Sequence, residues 1–293
     1  MRVLVTGRDG QLARSLAERA AAVPGLSLRT IGRPELDLER PESIAAAIAA
    51  AAPDAVVNAA AYTAVDQAED EPERAFRINA AAAGEVAAAA RHAGARIIQV
   101  STDYVFDGSA EGAYAETAPT SPLGAYGRSK LEGEQRVAEA SPDHLILRTA
   151  WVYSPFGRNF VKTMLAAAQA RDELNVVDDQ QGNPTGALDI ADGILAILGR
   201  WSGEPALGLG QVYHLAGTGT TSWCGLARQV FAEAAPLGLK TATVNPIRTE
   251  DWPTRAVRPR NSRLDCAKLE RDFGYRAPRW EESVAETVRR LAA

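Results

Sequence analysis

Two short segments of the chain supply the side chains that reduction of a carbonyl group would need. One is Ser101-Thr102-Asp103-Tyr104, and the other is Tyr126-Gly127-Arg128-Ser129-Lys130. On a helix, Tyr126 and Lys130 share one face and are adjacent across one turn. A nearby cation favours the phenolate, so we expect Lys130 to lower the pKa of the Tyr126 phenol, which is ordinarily about 10. Tyr126 would then serve as a general acid.

The Tyr-x-x-x-Lys pair is common on ordinary solvated helices, and its weight depends on what precedes it. The stretch Thr6-Gly7-Arg8-Asp9-Gly10-Gln11-Leu12 follows an apolar strand and opens a helix. Gly7 and Gly10 would let the backbone approach a pyrophosphate, and the helix N-terminus offers free N–H groups. Ala13 replaces the third glycine of the dinucleotide fingerprint, so a plain tight turn is the alternative.

Arginines near the end of the second predicted strand bear on which dinucleotide this loop would hold. An NAD-specific protein usually carries an acidic residue there for the ribose 2′-hydroxyl. This chain has Arg33 instead, with Arg8 in the glycine loop. Two guanidinium groups suit a 2′-phosphate, so we predict that NADPH is preferred and that NADH remains possible. The alternative is that both arginines are solvated surface residues.

Short apolar runs alternate with alanine-rich helical stretches over the first half of the chain, a pattern typical of βαβ units. Strands are predicted at 2–6, 27–31, 55–58, 96–101 and 145–149, and helices near 11–22, 43–52, 74–92 and 126–140. We therefore predict an α/β fold with a Rossmann-like, doubly wound parallel sheet in residues 1–150. Residues 151–293 would form a smaller C-terminal substrate-binding lobe, with helices near 160–170, 190–198, 222–235 and 281–291. A strand near 212–216 would rejoin the sheet or pair nearby.

Composition argues against several other classes of protein. The chain has 293 residues, is 46% hydrophobic and carries a net charge of −5, which disfavours a dedicated nucleic-acid binder. Its two cysteines, Cys224 and Cys266, form no CxxC pair, so neither a disulfide framework nor a zinc site is expected. No signal peptide, membrane span or membrane partner is predicted, and a reducing cytoplasm is the expected location.

Several longer strings occur in one order along the chain. They are Gly7-x-x-Gly10-Gln11-Leu12, Val57 to Asp66 (VNAAAYTAVD), Ser101 to Gly108 (STDYVFDG), Tyr126-x-x-x-Lys130-Leu131-x-Gly133-Glu134, Arg148 to Tyr153 (RTAWVY), Asn159-Phe160-Val161, Pro184-Thr185-Gly186 and Arg258 to Ser262 (RPRNS). This set resembles the dTDP-4-dehydrorhamnose reductases, a family of extended short-chain dehydrogenases/reductases. The resemblance covers the chain from Gly7 to Ser262.

The residues and the resemblance together imply roles for individual positions. Thr102, Tyr126 and Lys130 match the family's catalytic trio. The predicted cofactor-binding residues are Gly7, Gly10, Gln11, Leu12, Arg33, Asp37, Leu38, Ala61, Tyr62, Thr63, Tyr126 and Lys130. The predicted substrate-binding residues are Thr102, Asp103, Trp151, Asn159 and Arg258. Arg258 and Arg260 would carry positive charge toward the substrate diphosphate. Asn79 would either help hold Lys130 through water or be satisfied by backbone groups.

Some members of this family are described as magnesium-linked dimers that use glutamates on the first helix, in the second lobe and at the C-terminus. The first helix here begins Gln11-Leu12-Ala13-Arg14-Ser15, without a carboxylate at the matching place. We therefore predict no metal site. The chain would act as a monomer or a homodimer.

The resemblance implies NADPH-dependent reduction of the C4 carbonyl of dTDP-4-dehydro-L-rhamnose to dTDP-L-rhamnose. A dehydratase of the same fold typically carries Asp-Glu after its active-site threonine, whereas here Asp103 is followed by Tyr104. An epimerase or another sugar-nucleotide reductase remains open. A non-catalytic regulatory subunit of the methionine adenosyltransferase beta type also remains open, although it is not expected to keep Trp151.

Overall fold

The computed structural model describes all of residues 1–293. Its strands are β1 (Arg2–Thr6), β2 (Ser27–Ile31), β3 (Ala55–Asn58), β4 (Arg96–Thr102), β5 (His144–Thr149), β6 (Val152–Tyr153), β7 (Glu173–Val177), β8 (Gln181–Gly182), β9 (Thr185–Gly186), β10 (Gln211–His214), β11 (Thr221–Ser222) and β12 (Thr243–Ile247). Its α-helices are α1 (Gln11–Ala20), α2 (Pro41–Ala51), α3 (Pro72–Phe76), α4 (Ala82–His92), α5 (Ala125–Ala140), α6 (Phe160–Ala170), α7 (Ala187–Trp201), α8 (Trp223–Ala234), α9 (Ala267–Phe273) and α10 (Trp280–Ala292).

Six strands form one parallel sheet in the order β2-β1-β3-β4-β5-β10. The predicted Rossmann-like α/β fold is therefore confirmed, and the residues near 212–216 supply the edge strand beside β5. The strand order changes direction between β1 and β3, because the chain leaves β1 toward β2 and returns on the other side of β1. In open α/β sheets, ligands bind outside the carboxyl ends of the strands at such a switch point.

Helices cover both faces of this sheet. In β1, Val3 and Val5 belong to a core cluster shared with α1 and α7, whereas Leu4 belongs to a second cluster shared with α2, α4 and α5. Successive strand side chains face opposite sides, so a strand buried on both faces must be apolar throughout. This is why the short apolar runs of the sequence become the central strands.

The C-terminal part of the chain has a core of its own. Helices α6, α8 and α10 pack together with β7 and β12, which pair in parallel. The cluster includes Val161, Leu226 and Val284, all fully buried. None of the helices in the protein has the length and apolar character that crossing a bilayer requires.

Candidate active site

The glycine loop lies at the switch point of the sheet. Gly7 has φ +92°, and a Cβ there would lie 3.2 Å from the Ala60 Cα just beyond β3. Glycine suits this left-handed backbone and close approach. Gly10 precedes α1, which has no side-chain cap and no acidic residue in its first turn. The N–H groups at the start of α1 are therefore available to a phosphate, and the loop fits a dinucleotide.

A cavity of about 900 Å³ contains this loop and Trp151 in its lining. It also contains every predicted cofactor-binding residue, namely Gly7, Gly10, Gln11, Leu12, Arg33, Asp37, Leu38, Ala61, Tyr62, Thr63, Tyr126 and Lys130. Thr102 and Asp103 line the same cavity, whereas Asn159 and Arg258 do not. The fold thus brings the glycine loop, the Thr-Tyr-Lys trio and Trp151 to one cavity.

The trio is positioned by the end of β4 and the start of α5. Thr102 ends β4 and caps the short turn that follows, where its Oγ1 accepts a hydrogen bond from Tyr104 N at 3.3 Å. Helix α5 begins at Ala125, whose N–H donates to the Glu69 carboxylate at 2.7 Å. The helix dipole favours a carboxylate at this end. Tyr126 therefore lies in the first turn of α5.

Burial dominates the ionisation of the Tyr126 phenol. Enclosure raises its pKa to about 12, while a hydrogen bond with Thr102 opposes the rise. The expectation of a lowered pKa is wrong for this structure, because desolvation of the phenolate dominates, the Asp103 charge adds to the rise, and Thr102 is the group that opposes it. A phenol with a raised pKa is protonated at neutral pH, which is the form that a proton donor needs.

Lys130 is buried, and its Nζ donates to the Val100 carbonyl oxygen at 2.7 Å. Burial lowers the pKa of Lys130 to about 8, and the charge of Glu134 one turn further along α5 opposes this fall. Burial disfavours the charged form of an amine, whereas a nearby carboxylate favours it. Lys130 therefore changes from ammonium to neutral amine as the pH rises through about 8.

Asp103 adds a carboxyl group to the cavity wall. It is 2% exposed, and its Oδ1 accepts a hydrogen bond from Thr102 Oγ1 at 3.0 Å. Burial raises the pKa of Asp103 to about 6, against hydrogen bonds from the side chains of Ser262 and Thr102. A carboxyl group with a pKa raised in this way titrates closer to neutral pH than an exposed one.

Two predicted substrate contacts are engaged elsewhere. Asn159 caps α6 and donates from Nδ2 to Gln11 Oε1 at 3.0 Å. Arg258 donates from Nη1 and Nη2 to the two oxygens of Asp66 at 3.0 and 2.7 Å. The Arg258 guanidinium is thus bound by a carboxylate in two bonds, and its contact with the substrate diphosphate stays a prediction. Arg260 is exposed and also lies outside the cavity lining.

The Asn79 side chain hydrogen-bonds the backbone of Tyr62. It lies in a π-helical turn, Arg77–Ala81, that interrupts the single helix predicted over 74–92. Its Oδ1 accepts from Tyr62 N at 2.8 Å, and its Nδ2 donates to Tyr62 O and Ser129 Oγ, both at 3.0 Å. The amide thus fixes the cavity-lining Tyr62 backbone against α5, as the backbone-satisfied alternative predicts, and the water-mediated contact with Lys130 stays a prediction.

Arg158 is a cavity-lining cation that the sequence analysis missed. Its neighbour Gly157 lies against the glycine loop, since a Cβ there would be 3.2 Å from Gln11 Cγ. Ser154 Oγ also donates to Gln11 Oε1, at 2.8 Å. The only local signal was an arginine directly before the Asn159 string. Nothing in the local sequence shows that this loop folds back onto α1.

Arg8 and Arg33 line the part of the cavity formed by the loops after β1 and β2. The Arg8 Nη2 donates to the backbone oxygen of Arg33, and the Arg33 side chain is exposed. Asp37 lies nearby, where its Oδ1 accepts from Glu39 N at 3.0 Å and shapes the turn. This end of the cavity therefore presents two guanidinium groups.

An arginine of α1 engages carboxylates of α7 and α10. Arg19 on α1 lies 3.3 Å from Asp192 and 3.5 Å from Glu286, so a guanidinium already neutralises these carboxylates. No group of three or more His, Cys, Asp or Glu side chains is arranged to hold a metal ion.

The parallel sheet has a glycine loop at its switch point, and a Thr-Tyr-Lys trio lies in the same cavity. Together these features define the class of short-chain dehydrogenases/reductases. A family model described as the RmlD substrate binding domain matches residues 1–293. The chain belongs to this family.

Relatives with established names support the same placement. A dTDP-4-dehydrorhamnose reductase of Sinorhizobium fredii is 48% identical over 288 residues, which cover 98% of this chain and 97% of the relative. The crystal structure of such a reductase from Clostridium acetobutylicum has a TM-score of 0.92 at 35% identity and covers 100% of both chains. Another from Bacillus anthracis, in complex with NADP, has a TM-score of 0.90 at 34% identity and covers 98% of each chain. The family resemblance inferred from the strings is confirmed.

Proposed function

We propose that the protein reduces the C4 carbonyl of dTDP-4-dehydro-L-rhamnose to the alcohol of dTDP-L-rhamnose, with NADPH as reductant. The observation that carries this proposal is the single cavity that joins the free N-terminus of α1 to Thr102, Tyr126, Lys130 and Trp151. The substrate class follows from the family, whose curated relatives carry this reductase name.

The protein's own groups handle the proton and the geometry. Bound NADPH supplies the hydride that the C4 carbon accepts. Tyr126 donates its proton to the carbonyl oxygen, and its raised pKa keeps that proton in place until transfer. Thr102 hydrogen-bonds the same oxygen or the phenol and so fixes their relative position. Lys130 stabilises the phenolate that remains and holds the nicotinamide ribose.

Binding of the dinucleotide uses the other end of the cavity. The N–H groups at the start of α1, with Gln11, hold the diphosphate. Asp37 and Leu38 hold the adenine edge, and Arg8 and Arg33 face the 2′-phosphate. Asp103, which lines the cavity beside Thr102, contacts the sugar.

Arg33→Asp should change which dinucleotide is preferred. A carboxylate repels the 2′-phosphate but accepts a hydrogen bond from a 2′-hydroxyl. We expect the ratio of kcat/KM for NADPH to that for NADH to fall about tenfold or more, equivalent to about 1.4 kcal/mol. Arg29→Asp is the control, because Arg29 is exposed on β2 outside the cavity lining. An unchanged ratio in Arg33→Asp would transfer this role to Arg8.

The lowered pKa of Lys130 predicts a fall in activity at alkaline pH. The ammonium is present below about pH 8 and is lost as the pH rises through that value. We expect kcat/KM for NADPH, which reports the free protein, to decline about tenfold per pH unit above this pKa. Lys130→Arg remains cationic, so its profile should lack this decline. The same decline in Lys130→Arg would assign the titration to another group.

The proposed activity is tested with purified protein, NADPH and dTDP-4-dehydro-L-rhamnose. We expect NADPH absorbance to fall in step with a sugar nucleotide that has gained two hydrogen atoms. An epimerase would return a product of unchanged mass, and Tyr126→Phe serves as the low-activity control. If NADPH persists while the protein binds a partner enzyme tightly, the reductase proposal fails and the regulatory-subunit alternative replaces it.

A further inference from the structure

Trp151 has a backbone conformation that residues with a Cβ rarely adopt. Its φ is +48°, and Ala52 is the one other non-glycine residue with a positive φ. Ala52 caps the C-terminus of α2, where a left-handed residue is common. Trp151 instead lies between β5 and β6 and lines the cavity. Strained residues of this kind persist only where their surroundings hold them, and they cluster at ligand sites.

The ring of Trp151 is held by a second tryptophan. Trp223, the first residue of α8, stacks on it with ring centroids 3.7 Å apart and planes 8° from parallel. Trp223 does not line the cavity. Its own orientation is fixed, because Nε1 donates to Gln180 Oε1 at 3.1 Å and Phe160 packs 4.8 Å away. Trp223 is therefore a rigid support behind a cavity-facing ring.

Gly182 permits this arrangement. A Cβ at Gly182 would overlap the Trp151 indole, so β8 can approach the ring only because glycine occupies this position. The Trp151 carbonyl accepts a hydrogen bond from Thr185 N at 3.2 Å. Three separate contacts thus oppose rotation of Trp151 about its backbone and side-chain bonds.

Trp151 also differs from a tryptophan that serves only as core. Trp201 is 1% exposed, and its Nε1 donates to Leu207 O at 2.8 Å. Trp151 is half-buried and lines the cavity, and the Nε1 edge of its indole packs against Gly182. An aromatic ring at a cavity wall can pack against a sugar, whose faces are apolar.

We propose that Trp223 is a positioning residue that holds Trp151 in the orientation required to receive the sugar ring of the substrate. This inference rests on the proposed function together with the predicted contact of Trp151 with the sugar. Trp223 acts through Trp151 and contacts neither substrate nor dinucleotide. Its loss should therefore weaken use of the sugar nucleotide without changing the binding of NADPH.

The test compares Trp223→Leu, Trp223→Phe and Trp151→Leu. Small misplacement of a substrate-orienting group can cost up to about 100-fold in rate, so we expect kcat/KM for the sugar nucleotide to fall roughly 10–100-fold in Trp223→Leu, mostly through KM. The dissociation constant of NADPH should stay unchanged. Trp223→Phe retains an aromatic face and should recover most of the loss. Two stacked indoles also give a coupled pair of circular dichroism bands, which each leucine variant should abolish.

Trp252→Leu is the control, because this tryptophan is 56% exposed and lies outside the cavity lining. It should change neither KM nor the coupled bands. If Trp223→Leu loses the bands but keeps the sugar-nucleotide KM, or weakens NADPH binding equally, the positioning role is overturned. If Trp151→Leu also leaves KM unchanged, the predicted contact of Trp151 with the sugar is wrong. A raised KM in Trp151→Leu alone overturns only the role of Trp223.

Discussion

Tyr126→Phe is expected to reduce turnover by roughly 10²–10⁴-fold, the usual contribution of one general acid–base group. The substitution removes only the phenol oxygen, and the ring can still pack edge-on against Tyr104 at the centroid separation of 5.5 Å. Thermal stability and the affinity for NADPH should therefore remain close to those of the original protein. Single-turnover reduction by enzyme with bound NADPH measures the chemical step directly.

Tyr104→Phe is the matched variant for this experiment, because Tyr104 is a second phenol in the same cavity. Burial raises its pKa strongly, and the nearby Asp103 charge adds to that rise. We expect Tyr104→Phe to retain most turnover. If Tyr104→Phe were the inactive variant and Tyr126→Phe the active one, the proton donor would be Tyr104.

Arg148→Met should have the largest effect on stability. Arg148 on β5 binds Glu134 on α5 through Nε and Nη2 at 2.9 and 2.6 Å, and both side chains are almost fully buried. Removing one partner leaves a buried, uncompensated carboxylate, which costs about 3–5 kcal/mol. Thermal or urea unfolding should show a Tm lower by roughly 5–15 °C.

The double variant Glu134→Met with Arg148→Met removes both charges and should regain much of the lost stability, since apolar replacement of a whole buried pair is often neutral. Arg200→Met breaks an exposed pair with Glu204 and should cost under about 1 kcal/mol. Equal losses in the single and double variants would show that packing of the Arg148 stem, rather than the ion pair, sets the effect.

Much of the six-stranded parallel sheet could be predicted from the sequence, because its strands are short apolar runs bounded by turn residues. The predicted limits of β1, β2 and β3 agree with the structure at both ends. The pairing of β7 with β12 could not be predicted, because both strands are partly exposed and their partnership is set by packing of the C-terminal core. The π-helical turn was also missed, since its alanine-rich sequence favours an uninterrupted helix.

In the candidate site, too, features set by residues close in sequence could be predicted, and features set by contacts between distant residues could not. The four-residue step from Tyr126 to Lys130 is local, and both side chains line the cavity as expected. The partner of Arg258 is Asp66, which is remote in sequence, so no local pattern shows that the guanidinium is neutralised. The direction of the Tyr126 pKa shift likewise depends on burial by several elements, which spacing along one helix does not report.

The two hydrogen bonds that converge on Gln11 have a mechanical consequence. Ser154 Oγ and Asn159 Nδ2 both donate to Gln11 Oε1, so the loop over 154–159 is fastened to the first residue of α1. Moving this loop away from α1 would break both hydrogen bonds at once. We therefore expect Gly157 and Arg158, which line the cavity within this loop, to keep their place beside the dinucleotide loop.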